Sequence, residues 1–298
     1  MSMNRRAFLG ALPLTLAAKP FAHPIGLNLY KVRASLAKAP AETYRQLSAA
    51  GIETLEVRPL NLAQHAGMIS DAGLKPVHIF IESATITGAW DEWRGFMSAM
   101  AERYKMPAPA ADTPRPRLEE MIEMANRHGV KRIGTSMLLP GERATAIDAI
   151  NKAAGQCASA GLELYYHNHV FEFSGRRGAR YFDRLRRELD PRVRLELDTF
   201  WAALSGDDPA AILHEWKGRV RSVHLKDMAA DAPRGAAEVD VPPGAFRELG
   251  KGTLDFQKIL NAAAKSGVEH YFIELDFPPG DPIESVRRCA AYLKGLSL

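Results

Sequence analysis

The stretch "CASAGLELYYHNHVFEF", residues 157–173, decides the fold because it joins a helix end, a strand and a polar cluster. Gly161 stands where the helix should stop, since glycine adopts the left-handed conformation without steric strain. The run "LELYY" that follows is typical of a strand buried on both faces. Two histidines, an asparagine and a glutamate come next, within six residues. The pattern predicts a helix, a buried strand and a chemically active strand end.

The same unit recurs along the chain, where apolar runs alternate with helical patterns that mostly end in glycine. The eight runs are "IGLNLY" near 25, "IETLEVR" near 52, "LKPVHIFIE" near 74, "VKRIGTSML" near 130, "LELYYHNH" near 162, "VRLELDTF" near 193, "VRSVHLKD" near 220 and "EHYFIELD" near 269. Eight such units in about 270 residues match the size of a (β/α)₈ barrel. We therefore predict an α/β fold with a single TIM-barrel domain over residues 25–298. An open doubly wound sheet is the alternative, but no run is followed by G-x-G-x-x-G or a P-loop.

Two connections are longer than the others, residues 82–117 and residues 228–260. The first contains apolar side chains at helical spacing, namely Trp90, Trp93, Phe96, Met97 and Met100. That spacing favours a helix packed on the barrel, and the Pro/Ala tract at 107–116 predicts an exposed loop. Both connections start at the carboxyl end of a strand, so either of them can lie over the active-site face.

The first 22 residues have the layout of a bacterial export signal. Arg5 and Arg6 precede the mostly apolar run 11–18, and the Arg-Arg-x-Phe-Leu order resembles the twin-arginine type. The apolar run is too short for a stable membrane span, which needs roughly 20 residues. We therefore predict a periplasmic or exported protein. A cytoplasmic protein with a disordered or amphipathic N-terminal arm is the alternative.

The charge pattern argues against a nucleic acid partner. The chain has 39 basic and 35 acidic residues and a formal net charge of +4. Its densest basic run, residues 176–194, is interrupted by Asp183, Glu188 and Asp190, as expected of a solvated helix face. The composition is compatible with a homo-oligomer and leaves the oligomeric state open.

Polar residues stand at or near the ends of six of the eight runs, where barrels of this kind carry their active sites. They are Glu56, His78, His167, Asn168, His169, Asp198, His224, Lys226 and Glu274. A histidine, an aspartate, a histidine and a glutamate thus mark four consecutive runs, the fifth to the eighth. Carboxylate oxygen and imidazole nitrogen together suit a divalent metal ion. The sequence therefore predicts a metal site at this end of the barrel.

Each of these residues also has a structural alternative. Asp198 can cap the following helix, and His224 can be a satisfied buried histidine. Glu274 directly follows "YFI", where an unpaired carboxylate is costly, which favours a function. Alternation places His167 and His169 on one face of their strand and the asparagine between them on the other. Either histidine can therefore be the one that reaches the metal.

Five segments, taken in order, carry a resemblance to a known family: "YHNHVFEF", "LELDTFWA", "SVHLKD", "LGKGTLDFQKIL" and "YFIELD". On these segments the chain resembles the sugar phosphate isomerase/epimerase family of xylose-isomerase-like TIM barrels, from about Ile25 to the C-terminus. The resemblance implies one divalent metal ion, Mn, Zn, Co, Fe or Mg. The best-matching ligand positions are His167, Asp198, His224 and Glu274.

The family implies an isomerase or epimerase that acts on a sugar or keto-sugar. Such an enzyme removes a proton next to a carbonyl and passes through a metal-stabilised enediolate. We expect Glu274 as the general base, His169 or His167 as the opposing acid, and Lys226 as the group that holds an oxyanion. Candidates for contact with a small-molecule sugar are Trp201, His78, Asn168 and Glu56.

The chain departs from the family pattern at two positions. Many relatives have a glutamate where His167 stands, and some epimerases have a histidine where Trp201 stands. Those relatives use two carboxylates, one on each side of the substrate, so a two-carboxylate mechanism is in doubt for this chain. The same proton abstraction can also expel the aglycone of a 3-keto-glycoside, which is the lyase or hydrolase alternative. A non-catalytic sugar-binding barrel is the other alternative, while the histidine count and short basic loop argue against an endonuclease IV-like activity.

Overall fold

The computed structural model describes residues 20–110 and 112–297, and its centre is a closed barrel of eight parallel strands. Each strand pairs with the next one along the chain, and the eighth pairs with the first. The strands are β1 (Ile25–Asn28), β2 (Thr54–Val57), β3 (Lys75–Glu82), β4 (Arg132–Ser136), β5 (Glu163–His167), β6 (Arg194–Asp198), β7 (Val220–Leu225) and β8 (His270–Ile273). All eight lie within the runs expected from the sequence, so the barrel prediction is confirmed.

Helices follow every strand along the chain, and most of them pack outside the barrel. They are α1 (Arg33–Lys38), α2 (Pro40–Ala49), α3 (Pro59–Asp71), α4 (Ala84–Thr87), α5 (Trp90–Tyr104), α6 (Leu118–Arg127), α7 (Ala146–Ser159), α8 (Tyr181–Glu188), α9 (Thr199–Leu204), α10 (Pro209–Glu215), α11 (Phe256–Ser266) and α12 (Pro282–Lys294). Gly161 and Gly267 follow α7 and α11 with φ angles of 73° and 86°, so each takes the left-handed conformation that ends the helix before the next strand.

The inner face of the barrel is set by strand alternation. Residues two apart on a strand share a face, so Asp198 and Glu196 of β6 both point inward, and both are fully buried. In the register of the neighbouring strands, Asp198 lies opposite His224, and Glu196 lies opposite His167. The carboxyl ends of the strands therefore present one ring of polar side chains, with a second ring beneath it.

The two long connections meet over this carboxyl end. The first contains α5, which includes the predicted helical spacing, followed by a largely exposed loop, so both expectations are confirmed. The second contains a two-stranded ribbon of Asp227–Met228 and Phe246–Arg247. The Tyr104 hydroxyl of α5 lies 3.1 Å from the carbonyl oxygen of Glu238 and 2.6 Å from that of Val241, which joins the two connections.

Among the described residues, Pro20 and Phe21 already contact the rest of the domain. Pro20 forms a bridge with Ser297, and the buried Phe21 ring packs edge-on against Tyr271 at 5.3 Å. The predicted export signal, residues 1–22, therefore includes two residues that pack on the barrel, while residues 1–19 lie outside the described part. Export and localisation stay predictions. None of the described helices is long and apolar enough to cross a membrane.

Candidate active site

Four buried side chains, here called the outer cluster, meet at the carboxyl end of the barrel. They are His167, Asp198, His224 and Glu274, and each offers one ligand atom within 4.8 Å of those of the others. They come from the carboxyl ends of four consecutive strands, which is where barrels of this kind carry their active sites. Whether they bind a metal stays a prediction.

Asp198 serves two purposes with its two oxygens. Its Oδ1 accepts a hydrogen bond from the Trp201 backbone N–H at 2.9 Å and so caps α9. Its Oδ2 is buried, lies 3.1 Å from the Lys226 ammonium, and lies 3.9 Å from His167 Nε2. The capping role expected as an alternative thus coexists with an oxygen directed into the outer cluster.

Two lysines neutralise the carboxylates around the outer cluster. Lys226 Nζ lies 3.1 Å from Asp198 Oδ2, 3.2 Å from Glu274 Oε2 and 2.7 Å from Asp276 Oδ2. Lys31 Nζ lies 3.1 Å from Glu274 Oε1 and also pairs with Asp276. Two ammonium groups thus face three carboxylates, which offsets much of the cost of burying these charges.

The same charges determine the protonation of Glu274. Burial alone would raise the pKa of its carboxyl, but the nearby ammonium groups of Lys226 and Lys31 outweigh burial and hold that pKa well below its usual range. Glu274 is therefore ionised throughout the neutral range. Its Oε2 also lies 2.6 Å from His224 Nδ1.

The pKa values of the two histidines of the outer cluster are shifted in opposite directions. Burial, then the neighbouring His224 and His169, hold the pKa of His167 well below its usual range, so His167 is neutral and can offer a lone pair. Burial would also lower the pKa of His224, but Glu196 and Glu56 outweigh it and raise that pKa well above its usual range. Metal binding at His224 would therefore release a proton.

A cavity of about 220 Å³ opens above the outer cluster. His167, His224 and Glu274 line its floor. One side, here called the apolar wall, consists of Phe96, Met97, Met100, Tyr104, Phe246 and Phe277. Four of these side chains come from α5, so the helix predicted to pack on the barrel also covers the site.

His169 and Trp201 also line the cavity, and the Trp201 ring contacts Phe246 of the apolar wall. His169 Nδ1 lies 2.8 Å from Glu238 Oε2, and the His169 ring stacks on the Trp201 ring with centroids 5.3 Å apart. Burial alone would lower the pKa of His169, but Glu238 outweighs burial and raises it. The imidazole is therefore held in one orientation by a carboxylate, as general acids and bases require.

Four residues expected at the substrate lie elsewhere. Glu56 and His78 are buried inside the barrel beneath the outer cluster, and Asn168 accepts a hydrogen bond from the Asp198 backbone N–H at 3.1 Å. Lys226 is buried among carboxylates. These four are not among the described residues that line the cavity. Contact with a substrate would require them to move, whereas Trp201, His169 and Glu274 line the cavity directly.

The sequence did not predict that three further residues lie at the site or beside it: Lys31, Glu196 and Glu238. Glu196 had a signal, since it stands two residues before Asp198 and so shares its face. Lys31 follows the first strand but reaches residues almost a whole chain length away. Glu238 lies in the long connection before β8, where no periodicity indicates what its side chain contacts.

The donor set fits a divalent metal ion. The four side chains each offer a ligand atom within 4.8 Å of the others, and Asp198 Oδ2 lies 3.9 Å from His167 Nε2, which is too far for a hydrogen bond. Two imidazoles and two carboxylates are ligands that Mn²⁺, Fe²⁺, Co²⁺ and Zn²⁺ accept, while Mg²⁺ prefers oxygen alone.

Residues 44–295 match the family model described as "Xylose isomerase-like TIM barrel". The chain belongs to this family. Among curated relatives, the inosose dehydratase of Geobacillus thermodenitrificans is 30% identical over 158 residues, which are 50% of this chain and 52% of the relative. The chain spans about half the length of the curated relatives it matches.

Solved structures of this family share the fold. A sugar phosphate isomerase/epimerase from Parabacteroides distasonis has a TM-score of 0.67 at 20% identity, over 95% of this chain and 96% of that one. The probable 3-DHS dehydratase AsbF from Bacillus anthracis has a TM-score of 0.65 at 13% identity, over 91% and 99%. At these identities the likeness concerns the barrel alone.

Proposed function

We propose that this protein is a metal-dependent lyase that acts on a keto-sugar or keto-polyol. It removes a proton next to the ketone and eliminates an oxygen substituent one carbon further on. The observation that carries the proposal is that Glu274, an ionised carboxylate, and His169, an imidazole oriented by Glu238, line the same cavity. The relatives named inosose dehydratase support water as one leaving group.

The outer cluster would hold the metal ion. When bound there, the ion supplies Lewis-acid polarisation of the substrate ketone, which makes the neighbouring C–H acidic. Lys31 and Lys226 pair with the two oxygens of Glu274 and keep this carboxylate ionised. The same ammonium groups lower its basicity, so Glu274 accepts a proton only from a C–H bond that the metal ion has made acidic. Helix α5 and its apolar wall exclude water from the floor of the cavity.

The proton transfers balance between two side chains. Glu274 takes the proton from carbon, and the electrons of that C–H bond form the new C=C bond. The C–O bond of the leaving group breaks, and His169 donates a proton to that oxygen. The substrate therefore loses one neutral molecule, and no oxidant or reductant is needed. An acid of imidazole type on one side and a carboxylate on the other suit elimination better than the two-carboxylate arrangement of epimerases.

The apolar wall favours a second leaving group. Phe96, Met97, Met100 and Phe277 face the cavity but offer no hydrogen bond to a hydroxyl-rich ring. A 3-keto-glycoside would place its sugar ring at the outer cluster and an apolar aglycone against this wall. The same proton abstraction would then release the aglycone as an alcohol instead of water.

The test is a panel of keto-polyols, keto-sugars and 3-keto-glycosides incubated with the protein and Mn²⁺ in D₂O, followed by mass spectrometry. Loss of one water, or release of the aglycone, supports the lyase. Incorporation of deuterium without loss of mass would instead establish an isomerase or epimerase. Binding without any reaction would leave a sugar-binding barrel. Asp198→Asn serves as the control for metal dependence.

A further inference from the structure

A second group of metal-binding side chains, here called the inner cluster, lies inside the barrel. It consists of Glu56, His78 and Glu196, each of which offers one ligand atom within 4.8 Å of the others. Glu196 precedes Asp198 by two residues on β6, so the inner cluster lies one side-chain layer towards the amino ends of the strands. All three side chains are fully buried, and within the described residues they are separate from the cavity lining.

The inner cluster lacks the ammonium groups that neutralise the outer one. Two buried carboxylates are costly without positive charge close by. The ion-pair partners of Glu56 and Glu196 among the described residues are the imidazoles of His78, His224 and, for Glu196, His167. In metal-free protein the two glutamates outweigh burial and raise the pKa of His78 and His224, so protonated imidazoles balance their charge. A divalent cation would take the place of the proton on His78 and neutralise both carboxylates.

The carboxylate oxygens are divided between two imidazoles. Oε1 of Glu56 and Oε1 of Glu196 each lie 3.5 Å from His78 Nδ1, whereas the two Oε2 atoms lie 3.0 and 3.3 Å from His224 Nε2. A separation of 3.5 Å is long for a hydrogen bond. Two ligand atoms about 2.1 Å from one metal at a tetrahedral angle stand about 3.4 Å apart. The His78 distances therefore match those of ligands around one ion.

The His78 ring has no hydrogen-bond partner among the described residues and is rigidly held. Neither of its ring nitrogens has a hydrogen-bond partner among the residues described, although the side chain is completely buried. Its ring packs against Tyr165 and Phe272, with centroids 4.6 and 5.1 Å away. An imidazole that is buried, fixed in orientation and directed at two carboxylates has the features of a metal ligand.

The glutamates are fixed in the same way. The Asn28 side-chain amide donates a hydrogen bond to Glu56 Oε2, and the Ser222 hydroxyl donates one to Glu196 Oε1. Asn28 and His224 also line the cavity, so the inner cluster lies directly behind the cavity floor. That proximity provides the route by which an ion can enter from the cavity.

We propose that the inner cluster binds a second divalent cation through Glu56 Oε1, Glu196 Oε1 and His78 Nδ1. Two carboxylates and an imidazole suit Mn²⁺, Fe²⁺ or Zn²⁺. Because the other oxygens of the same glutamates contact His224, this ion also fixes the ring of an outer-cluster residue. The proposal does not depend on which reaction takes place in the cavity.

Anomalous scattering from crystals of the full chain grown with Mn²⁺ tests the proposal directly. The expected map has one peak bounded by Glu56, His78 and Glu196, and a second peak at the outer cluster. A peak at the inner cluster alone would also support the proposal. A single peak at the outer cluster would overturn it. This experiment needs no variant, so it decides even if substitutions in the barrel interior prevent folding.

Metal content in solution gives an independent test. Full-length protein reconstituted with Mn²⁺ and desalted should carry two ions per chain. The double substitution Glu56→Gln, Glu196→Gln should lower this to one, with unchanged circular dichroism. Glu102→Gln, which alters an exposed glutamate of α5, should keep two. Two ions in the folded double variant, or one ion per chain in the wild type that the double variant retains, would contradict the proposal.

Discussion

The outer and inner clusters lie one layer apart in the same barrel, yet their charges are balanced differently. Around the outer cluster, Lys31 and Lys226 pair with the carboxylates and lie at or beside the cavity. In the inner cluster, the two glutamates contact imidazoles. The outer arrangement is thus neutralised by the chain itself, whereas the inner one depends on protons or a cation.

This difference indicates what each layer can do. Ammonium groups beside the outer carboxylates keep them ionised without a metal, so the site exists before an ion arrives. His224 connects the layers, because its Nδ1 faces Glu274 and its Nε2 faces Glu56 and Glu196. Substitutions in and next to the outer cluster can show which side chains belong to it and how its charge is balanced.

The largest effect is expected for Asp198→Asn. Asparagine retains the Oδ1 acceptor that caps α9 but loses the charged oxygen directed at the outer cluster. Bound metal should be lost, and kcat/KM should fall at least about 1,000-fold, since carbonyl polarisation contributes several kcal/mol. Elemental analysis and the elimination assay measure both. Asp208→Asn, at the exposed cap of α10, is the matched control and should change neither.

Lys226→Met tests the charge balance of the outer cluster. Removing a buried ammonium group from three carboxylates should lower the free energy of unfolding by about 3 kcal/mol in metal-free protein. The loss should be smaller in saturating Mn²⁺, because the ion neutralises the same carboxylates. Urea unfolding with and without chelator measures it.

The control for that experiment is Lys258→Met. Lys258 pairs with Asp208 at 2.6 Å on the surface, and its substitution should change the free energy of unfolding by at most about 1 kcal/mol. If Lys226→Met lowers the free energy of unfolding by the same amount with and without Mn²⁺, the ion does not bind at these carboxylates.

His167, which ends β5, and His169, two residues beyond it, test which histidine belongs to the outer cluster. His169→Gln should lower kcat about 100-fold while metal content stays unchanged, because a positioned general acid is lost. His167→Gln should instead lower metal content. Glu238→Gln should have a smaller effect on kcat than His169→Gln, since it only orients that ring. Loss of metal with His169→Gln and not with His167→Gln would exchange the two roles.

The smallest effect concerns His270, a half-buried imidazole that has no carboxylate among the groups shifting its pKa. Burial, then His78 and the charges of Arg132 and Arg221, lowers the pKa of His270 to about 3. Between this value and the ordinary 6.5, the unfolded chain binds more protons, so stability rises with pH and is lost on acidification. At pH 5 the loss is roughly 2 kcal/mol.

His270→Phe keeps the ring and removes the titration. The free energy of unfolding of this variant should therefore fall less between pH 7.5 and 5 than that of the wild type. Equal pH dependence in both proteins would show that His270 does not contribute.

Local sequence patterns determined the barrel and most of the outer cluster. Apolar runs of strand length, most of them after a helix that ends in glycine, specify eight βα units, because covered parallel strands bury both faces. In such a barrel, residues that end consecutive strands lie together, which is why Asp198, His224, Glu274 and one of two histidines could be named from the sequence. The choice of His167 over His169 came from the family resemblance. Whether these residues bind a metal ion stays a prediction.

Only the tertiary structure decided which groups balance these charges. Lys31 and Asp276 are separated by 245 residues, and Glu238 reaches His169 across 69 residues from a segment without periodicity. The tertiary structure also placed Glu56 and His78 behind the cavity floor. It placed α5 over the entrance of the cavity. The physical reason is that helical and strand periodicity specify which face of an element is buried, whereas charge pairing depends on distances of a few ångströms between side chains far apart in the chain.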